Sequence, residues 1–111
     1  MNDIDKVLEE RGKTHGDFAY HADLTQRLKK VFYQGTTQAG VVLNPVEMEA
    51  VDMILHKLGR IGSGNPHFED HWVDIAGYAS LVPRHTKDGR VKVATADITG
   101  TAMGKSSRRD A

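Results

Sequence analysis

Acids and bases at helical spacing are the first feature of this 111-residue chain that bears on chemistry. Glu49, Asp52, His56 and Arg60 follow one another at three- and four-residue steps, which places them on one narrow stripe of a helix. His67, Asp70, His71, Asp74 and Tyr78 make a similar stripe further along. If the two segments are consecutive antiparallel helices, their stripes can face each other and bring Glu49, Asp52, Asp70 and Asp74 together. Four carboxylates in one place repel unless a cation neutralises them, and one uncompensated charge inside a bundle costs roughly 3–5 kcal/mol. An all-oxygen donor set suits Mg²⁺ or Mn²⁺. Such a set can hold two or more ions, which clamp a phosphate and activate a water for in-line attack.

Plainer readings of the same residues stand beside this one. A narrow polar stripe on a mostly apolar helix is usually its solvent-facing side, and Asp52 and Asp70 fit that as well as they fit a metal. Asp74 fits it less well, because it sits between Val73 and Ile75-Ala76 in the most apolar part of its segment. His67, His71 and Asp74 also share a face, a pattern that suits zinc or iron, although histidines beside a turn are more often caps or surface residues.

The elements that must position these residues are read from caps and breakers. Ile4, Val7 and Leu8 give residues 3–11 helical periodicity, Gly12 is expected to end that helix, and Lys13-Thr14-His15-Gly16 to follow as a polar loop. A second helix is expected from about Asp17 to Tyr33, with Phe18, Ala22, Leu28, Val31 and Phe32 as its apolar side and a loop over 34–40. The third has the clearest start in the chain: Asn44 as N-cap, Pro45 at the first helical position, and Glu47 placed for a capping box. It should run to about Arg60, mostly buried, and stop at Gly62-Ser63-Gly64-Asn65-Pro66. The fourth should begin near His67 or Phe68 and end before Pro83, with one short strand possible within 89–95.

Composition bounds the rest. The chain is one domain's worth of residues, read as a helical domain over 1–83 and a basic, mostly irregular C-terminal tail over 84–111. There is one Trp, with three Tyr and three Phe, so the core is thin, and small helical domains of that kind commonly complete it by oligomerising. Without cysteine there is no disulfide scaffold and no thiol catalysis. No apolar leader opens the chain and no apolar run reaches the roughly 20 residues of a membrane span, so a cytoplasmic protein with no membrane partner is expected. Residues 1–83 carry 8 Lys and Arg against 12 Asp and Glu, whereas 84–111 carry 7 against 3. An acidic body argues against nucleic acid as the main ligand and for hard divalent cations.

These motifs bear a resemblance. Glu49-x-x-Asp52 followed by Asp70-x-x-x-Asp74 is similar to the acidic signature of the all-α nucleotide pyrophosphatases, the MazG-like and dUTPase-like superfamily. Glu10-Arg11-Gly12-Lys13-Thr14-His15-Gly16-Asp17-Phe18, the run Met53 to Ile61, and Asp70-His71-Trp72-Val73-Asp74-Ile75-Ala76-Gly77-Tyr78 resemble a largely phage-borne group within it. The likeness spans residues 9–82, and the last of the three motifs is the most specific. The usual pattern has Glu-Glu-x-x-Glu and then Glu-x-x-Asp, from which this chain departs by using Asp70 and Asp74 four apart.

The resemblance implies an antiparallel four-helix bundle, assembled as a homodimer or homotetramer, in the host cytoplasm if phage-encoded. It implies two or three Mg²⁺ or Mn²⁺ ions on Glu49, Asp52, Asp70 and Asp74, with Glu49 and Asp52 as catalytic acids. The implied reaction is hydrolysis of a nucleoside triphosphate, dGTP first, to the monophosphate and pyrophosphate. Arg11, Lys13, His15, Lys57 and Arg60 would then meet the triphosphate, and Tyr78 or Trp72 the base. Two alternatives remain at this point: a phosphohydrolase using a metal on His67, His71 and Asp74, and a non-enzymatic module whose basic tail contacts DNA or a host protein.

Overall fold

The computed structural model describes residues 2–92, and four helices carry nearly all of them: α1 (Asp3–His15), α2 (Phe18–Ala39), α3 (Pro45–Ser63) and α4 (Glu69–His85). The all-helical expectation holds, in the expected order. No helix among the described residues is long and apolar enough to cross a membrane.

The helix ends show where local signals were misjudged. Asn2 caps α1 by accepting from the Asp5 amide at 2.8 Å. The helix then passes through Gly12 and stops only at Gly16, whose φ is +78°. A single interior glycine costs about 1 kcal/mol relative to alanine, too little to end a helix that twelve other residues support. The expected loop at Lys13-Thr14-His15 is therefore the last helical turn. Asp17 caps α2, accepting from the Ala19 and Tyr20 amides. This helix also outruns its expected end at Tyr33, with the Thr36 and Thr37 hydroxyls donating back to the Tyr33 carbonyl. Its true stop is Gly40 in the left-handed region, with the Val41 N–H on the Thr36 carbonyl as in a Schellman motif.

The start of α3 is as read. The Asn44 side chain accepts from the Glu47 amide and the Glu47 carboxylate from the Asn44 amide, a complete capping box with Pro45 beside it. At the other end Ser63 closes the last turn by donating to the Gly59 carbonyl. Helix α4 continues through Pro83 to His85, so the expectation that it ends before the proline is corrected; the missing N–H leaves the carbonyl four residues earlier without its helical partner. Two short strands follow, β1 (Thr86–Lys87) and β2 (Arg90–Val91), paired antiparallel across Asp88-Gly89. Both turn residues have positive φ, the hairpin geometry that Asp-Gly favours. The expected strand at 89–95 is thus the second arm of a hairpin as far as Val91. Asn44 donates to the Gly89 carbonyl at 2.9 Å and ties the hairpin to the start of α3. The remainder of the expected tail, from 93, lies outside the described residues.

Helix α3 packs chiefly against α2 and α4. By contrast, every residue from 2 to 13 is exposed, and α1 is held at its His15–Gly16 end, where Gly16 meets Ser63 and Gly64. The apolar core within one chain is correspondingly small: Ala50 and Leu55 are the buried apolar side chains among the described residues. Of the residues expected to form the apolar side of α2, Phe18 at 72% and Val31 at 69% exposure face outward with Phe32, whereas Ala22 and Leu28 are half-buried. Instead α2 turns His21 and Thr25 toward α3, both fully buried.

Candidate functional site

Gly59 decides how closely α2 and α3 approach. A Cβ there would collide with the Thr25 hydroxyl and stand 3.0 Å from His21 Nδ1. With glycine in place, His21 and Thr25 lie directly on the α3 backbone, and His21 Nδ1 sits 3.2 Å from the Thr25 hydroxyl. The His56 ring meets the His21 ring edge-on, with centroids 4.7 Å apart. One turn before His56, Asp52 accepts from the Tyr33 hydroxyl at 2.7 Å. Asp52 and His56 of the α3 stripe therefore face α2, which corrects the expectation that they face α4.

What α3 presents to α4 is Lys57. Its ammonium lies 2.8 Å from the Asp74 carboxylate, with the lysine side chain only 17% exposed. This pair sets the level at which the two helices meet. Glu49 and Asp52 lie eight and five residues before Lys57, so at 1.5 Å rise per residue they stand about 12 and 8 Å further along the axis from Asp74. The four acids consequently fall at two places. Among the described residues no three Asp, Glu or His side chains gather closely enough to hold a metal ion. Glu49 and Asp70 are exposed, Asp52 and Asp74 half-buried.

The remaining expected residues divide in the same way. His15 is half-buried with its Nδ1 3.3 Å from Nε2 of His71, and Phe68 packs edge-on against both rings. His71 is the most deeply buried large side chain, 1% exposed. Neither a cap nor a surface residue, it turns to His15, while His67 is exposed and Asp74 is held by Lys57, so the His67–His71–Asp74 triad does not come together. Lys13 is exposed and pairs with Glu10 at 3.6 Å. Arg11 is exposed, Arg60 and Tyr78 are half-buried, and Trp72 is half-exposed with its indole N–H on the Pro66 carbonyl.

Electrostatics distinguish the two places. Around Asp52 the field is negative: burial, the Asp52 hydrogen bond and the charges of Asp52 and Glu49 push the Tyr33 hydroxyl up to about 12. At Asp74 the Lys57 hydrogen bond holds the carboxyl below its usual range. Toward the turn between α3 and α4 the field is positive. Burial first, then Arg60, His71, Arg11 and Lys57, lower the pKa of His15. Burial and then Arg60 lower His21, and burial followed by His21, Arg60 and Lys57 brings His56 down to about 4. Tyr33, His21 and Thr25 were not singled out from the sequence. A small polar pair four residues apart on α2, matched by a glycine inside α3, is the signal that marks the contact.

The three lowered histidines have a consequence for stability. Each takes up its proton at lower pH in the fold than in the unfolded chain, so below about pH 6.5 the unfolded state binds more protons. Stability is complete above pH 6.5 and falls as the pH drops toward about 4. The loss should be on the order of 2 kcal/mol, allowing for the partial exposure of His56 and His15. Melting curves at pH 7, 6, 5 and 4.5 check it, with His56→Gln flattening the profile. A profile flat between 7 and 4.5 in the unaltered chain would refute it.

No protein-family model, curated protein or solved structure matches the chain.

Proposed function

We propose that this chain is a nucleoside-triphosphate pyrophosphohydrolase of the MazG-like kind, dependent on Mg²⁺ or Mn²⁺, with dGTP as its first substrate. The observation that carries the reading is the run from Asp70 to Tyr78, the most specific of the resembling motifs, lying on one unbroken helix packed against the helix that bears Glu49 and Asp52. Supporting it is the charge layout: carboxylates along α3 and α4, and a positive field where the two helices meet their turn.

The donors suit such ions as pairs rather than as one cage. Mg²⁺ is ordinarily bound by one or two carboxylates with water and substrate phosphates completing the shell, so Glu49 with Asp52 and Asp70 with Asp74 are each an adequate protein contribution. When bound, the ions supply charge neutralisation of the triphosphate and a water acidic enough to attack phosphorus. Among the chain's own residues, Glu49 is exposed and placed to orient a water, while Asp52 is oriented by the Tyr33 hydroxyl. Asp74 would hold the ion in place of Lys57, and Lys57 would then be available to a phosphate oxygen.

Assembly as a homodimer or homotetramer belongs to the same reading. Ile4, Val7 and Leu8 on α1 are 54–69% exposed, as are Phe18 and Val31 on α2 at similar values, and together they offer an apolar surface that one chain leaves uncovered. The experiment is to incubate each dNTP with Mg²⁺, using the species whose mass light scattering shows to be at least twice 12.3 kDa. The expected products are dGMP and pyrophosphate, abolished by EDTA. Release of orthophosphate, or turnover indifferent to EDTA, would overturn the reading.

A further inference from the structure

The metal ligands implied by the resemblance all lie on α3 and α4, yet the group that grips one of them comes from α2. Tyr33, which belongs to none of the resembling motifs, donates its hydroxyl to Asp52 Oδ1 at 2.7 Å, the length of a charge-assisted O–H···O⁻ bond. The same hydroxyl stands 3.4 Å from the Met48 carbonyl, one turn earlier on α3. The tyrosine is itself held in place. Its side chain is half-buried and meets the Phe32 ring edge-on, with centroids 5.3 Å apart. Its carbonyl accepts from the Thr36 and Thr37 hydroxyls at 2.9 and 3.0 Å. With the phenol pushed up to about 12 by burial and by Asp52, it keeps its proton, and so its donor role, throughout the neutral range.

A neutral donor acts on a carboxylate differently from a cation. Lys57 meets Asp74 with a full positive charge, which an arriving metal ion has to displace. Tyr33 leaves the charge of Asp52 in place and occupies one of its two oxygens. Oδ2 makes no hydrogen bond among the described residues. How many oxygens a carboxylate can offer bears on which ion it suits. Ca²⁺ gathers about six to eight oxygens in a loose shell and readily takes both from one carboxylate. Mg²⁺ demands a near-octahedral shell at about 2.0–2.1 Å, which a carboxylate enters by a single oxygen. For Oδ1 to join Oδ2 on an ion, the hydrogen bond from Tyr33 has to be given up.

We propose that Tyr33 is an ion-selectivity residue: by occupying Oδ1 it presents Asp52 to a divalent cation through Oδ2 alone, and so biases the Glu49–Asp52 pair toward Mg²⁺ over Ca²⁺. The presence of an ion at this pair rests on the metal-dependent reading above; the division of the two oxygens rests on the hydrogen bond. It also separates the roles of the two acids. With one oxygen on Tyr33 and the other on the ion, Asp52 has none left for a water, which falls to Glu49.

The test titrates Mg²⁺ and Ca²⁺ separately into the full chain without nucleotide. NMR signals of the Glu49 and Asp52 amides report on this pair apart from Asp70 and Asp74. Tyr33→Phe keeps the ring and removes the hydroxyl. It should lower the ratio of the Ca²⁺ to the Mg²⁺ dissociation constant by about tenfold, mostly through weaker Mg²⁺ binding, the usual size of an outer-shell loss. Asp52→Glu carries the carboxylate past the hydroxyl and should move the ratio in the same direction; it takes the place of Tyr33→Phe if that chain does not fold. Asp52→Asn, as control, should bind both ions poorly.

A tyrosine that only braced α2 against α3 would give a Tyr33→Phe chain that melts lower but binds both ions in the unaltered ratio. That result overturns the proposal. So does equal weakening of both ions, or Glu49 and Asp52 amides that do not respond to Mg²⁺. A shifted ratio without turnover of any dNTP keeps the role of Tyr33 and removes the pyrophosphohydrolase. Hydrolysis of dGTP to dGMP and pyrophosphate with the ratio unmoved does the reverse.

Discussion

Gly16→Ala is expected to cost about 3 kcal/mol or more and to lower the melting temperature by roughly 10–20 °C for a domain of this size. Two terms contribute. The residue has φ +78° and ψ −172°, a region that side chains with a Cβ essentially do not enter. In addition, a Cβ would collide with the Ser63 carbonyl oxygen and stand 2.7 and 2.8 Å from Ser63 C and Gly64 Cα. These are backbone atoms, so no rotamer change relieves them. Gly64 faces the same constraint from the other side, since its Cβ would lie 2.6 Å from the His15 carbonyl carbon. Gly12, four residues earlier, supplies the control. It lies inside α1 with nothing within 4 Å of a Cβ, so Gly12→Ala should stabilise the chain by about 0.5–1 kcal/mol. Urea denaturation of the three proteins reads both signs, and two glycine variants that behave alike would defeat the account.

That pair of glycines also shows what the sequence made legible. Periodicity and caps were enough for four helices in order, and the Asn44-Pro45-x-Glu47 start was read correctly because every partner in a capping box is local. The ends of α1 and α2 differ from expectation because Gly12 reads as a breaker and 34–40 as a loop, whereas the residues that stop those helices are the glycines with positive φ, Gly16 and Gly40. Asp88-Gly89 carried the hairpin signal and was absorbed into a tail. For the candidate site the limit is different in kind. Spacing tells which residues share a stripe, and Asp52 and His56 do meet the same neighbour. It does not tell which neighbour the stripe faces. That depends on Gly59, which admits Thr25 and His21 of α2 and so turns the stripe away from α4. Nor does spacing set the level of two helices: the Lys57–Asp74 contact does, and it separates Asp74 from Asp52.

Asp74→Asn is expected to lower dGTP turnover on the order of 10²-fold or more while leaving the metal-free protein nearly as stable as before. The Asp74 side chain is 45% exposed and its pairing with Lys57 is partly open to water, a setting in which ion pairs add little. Asparagine also keeps an oxygen that can accept from the Lys57 ammonium. If Asp74 served only as a counter-charge, Lys57→Met would mirror it, and neither variant would change the response to metal. If Asp74 shares a metal with Asp70, the two variants part. Mn²⁺ should raise the melting temperature of the unaltered chain through mass action and should do so poorly for Asp74→Asn. Lys57→Met should gain at least as much as the unaltered chain, because a cation competing for the same carboxylate at 2.8 Å has been removed. The measurement is a pair of melting curves per protein, in EDTA and in Mn²⁺, beside a turnover assay. An Asp74→Asn chain that gains normally from Mn²⁺ would take Asp74 out of the site and leave Lys57–Asp74 as a strut between α3 and α4.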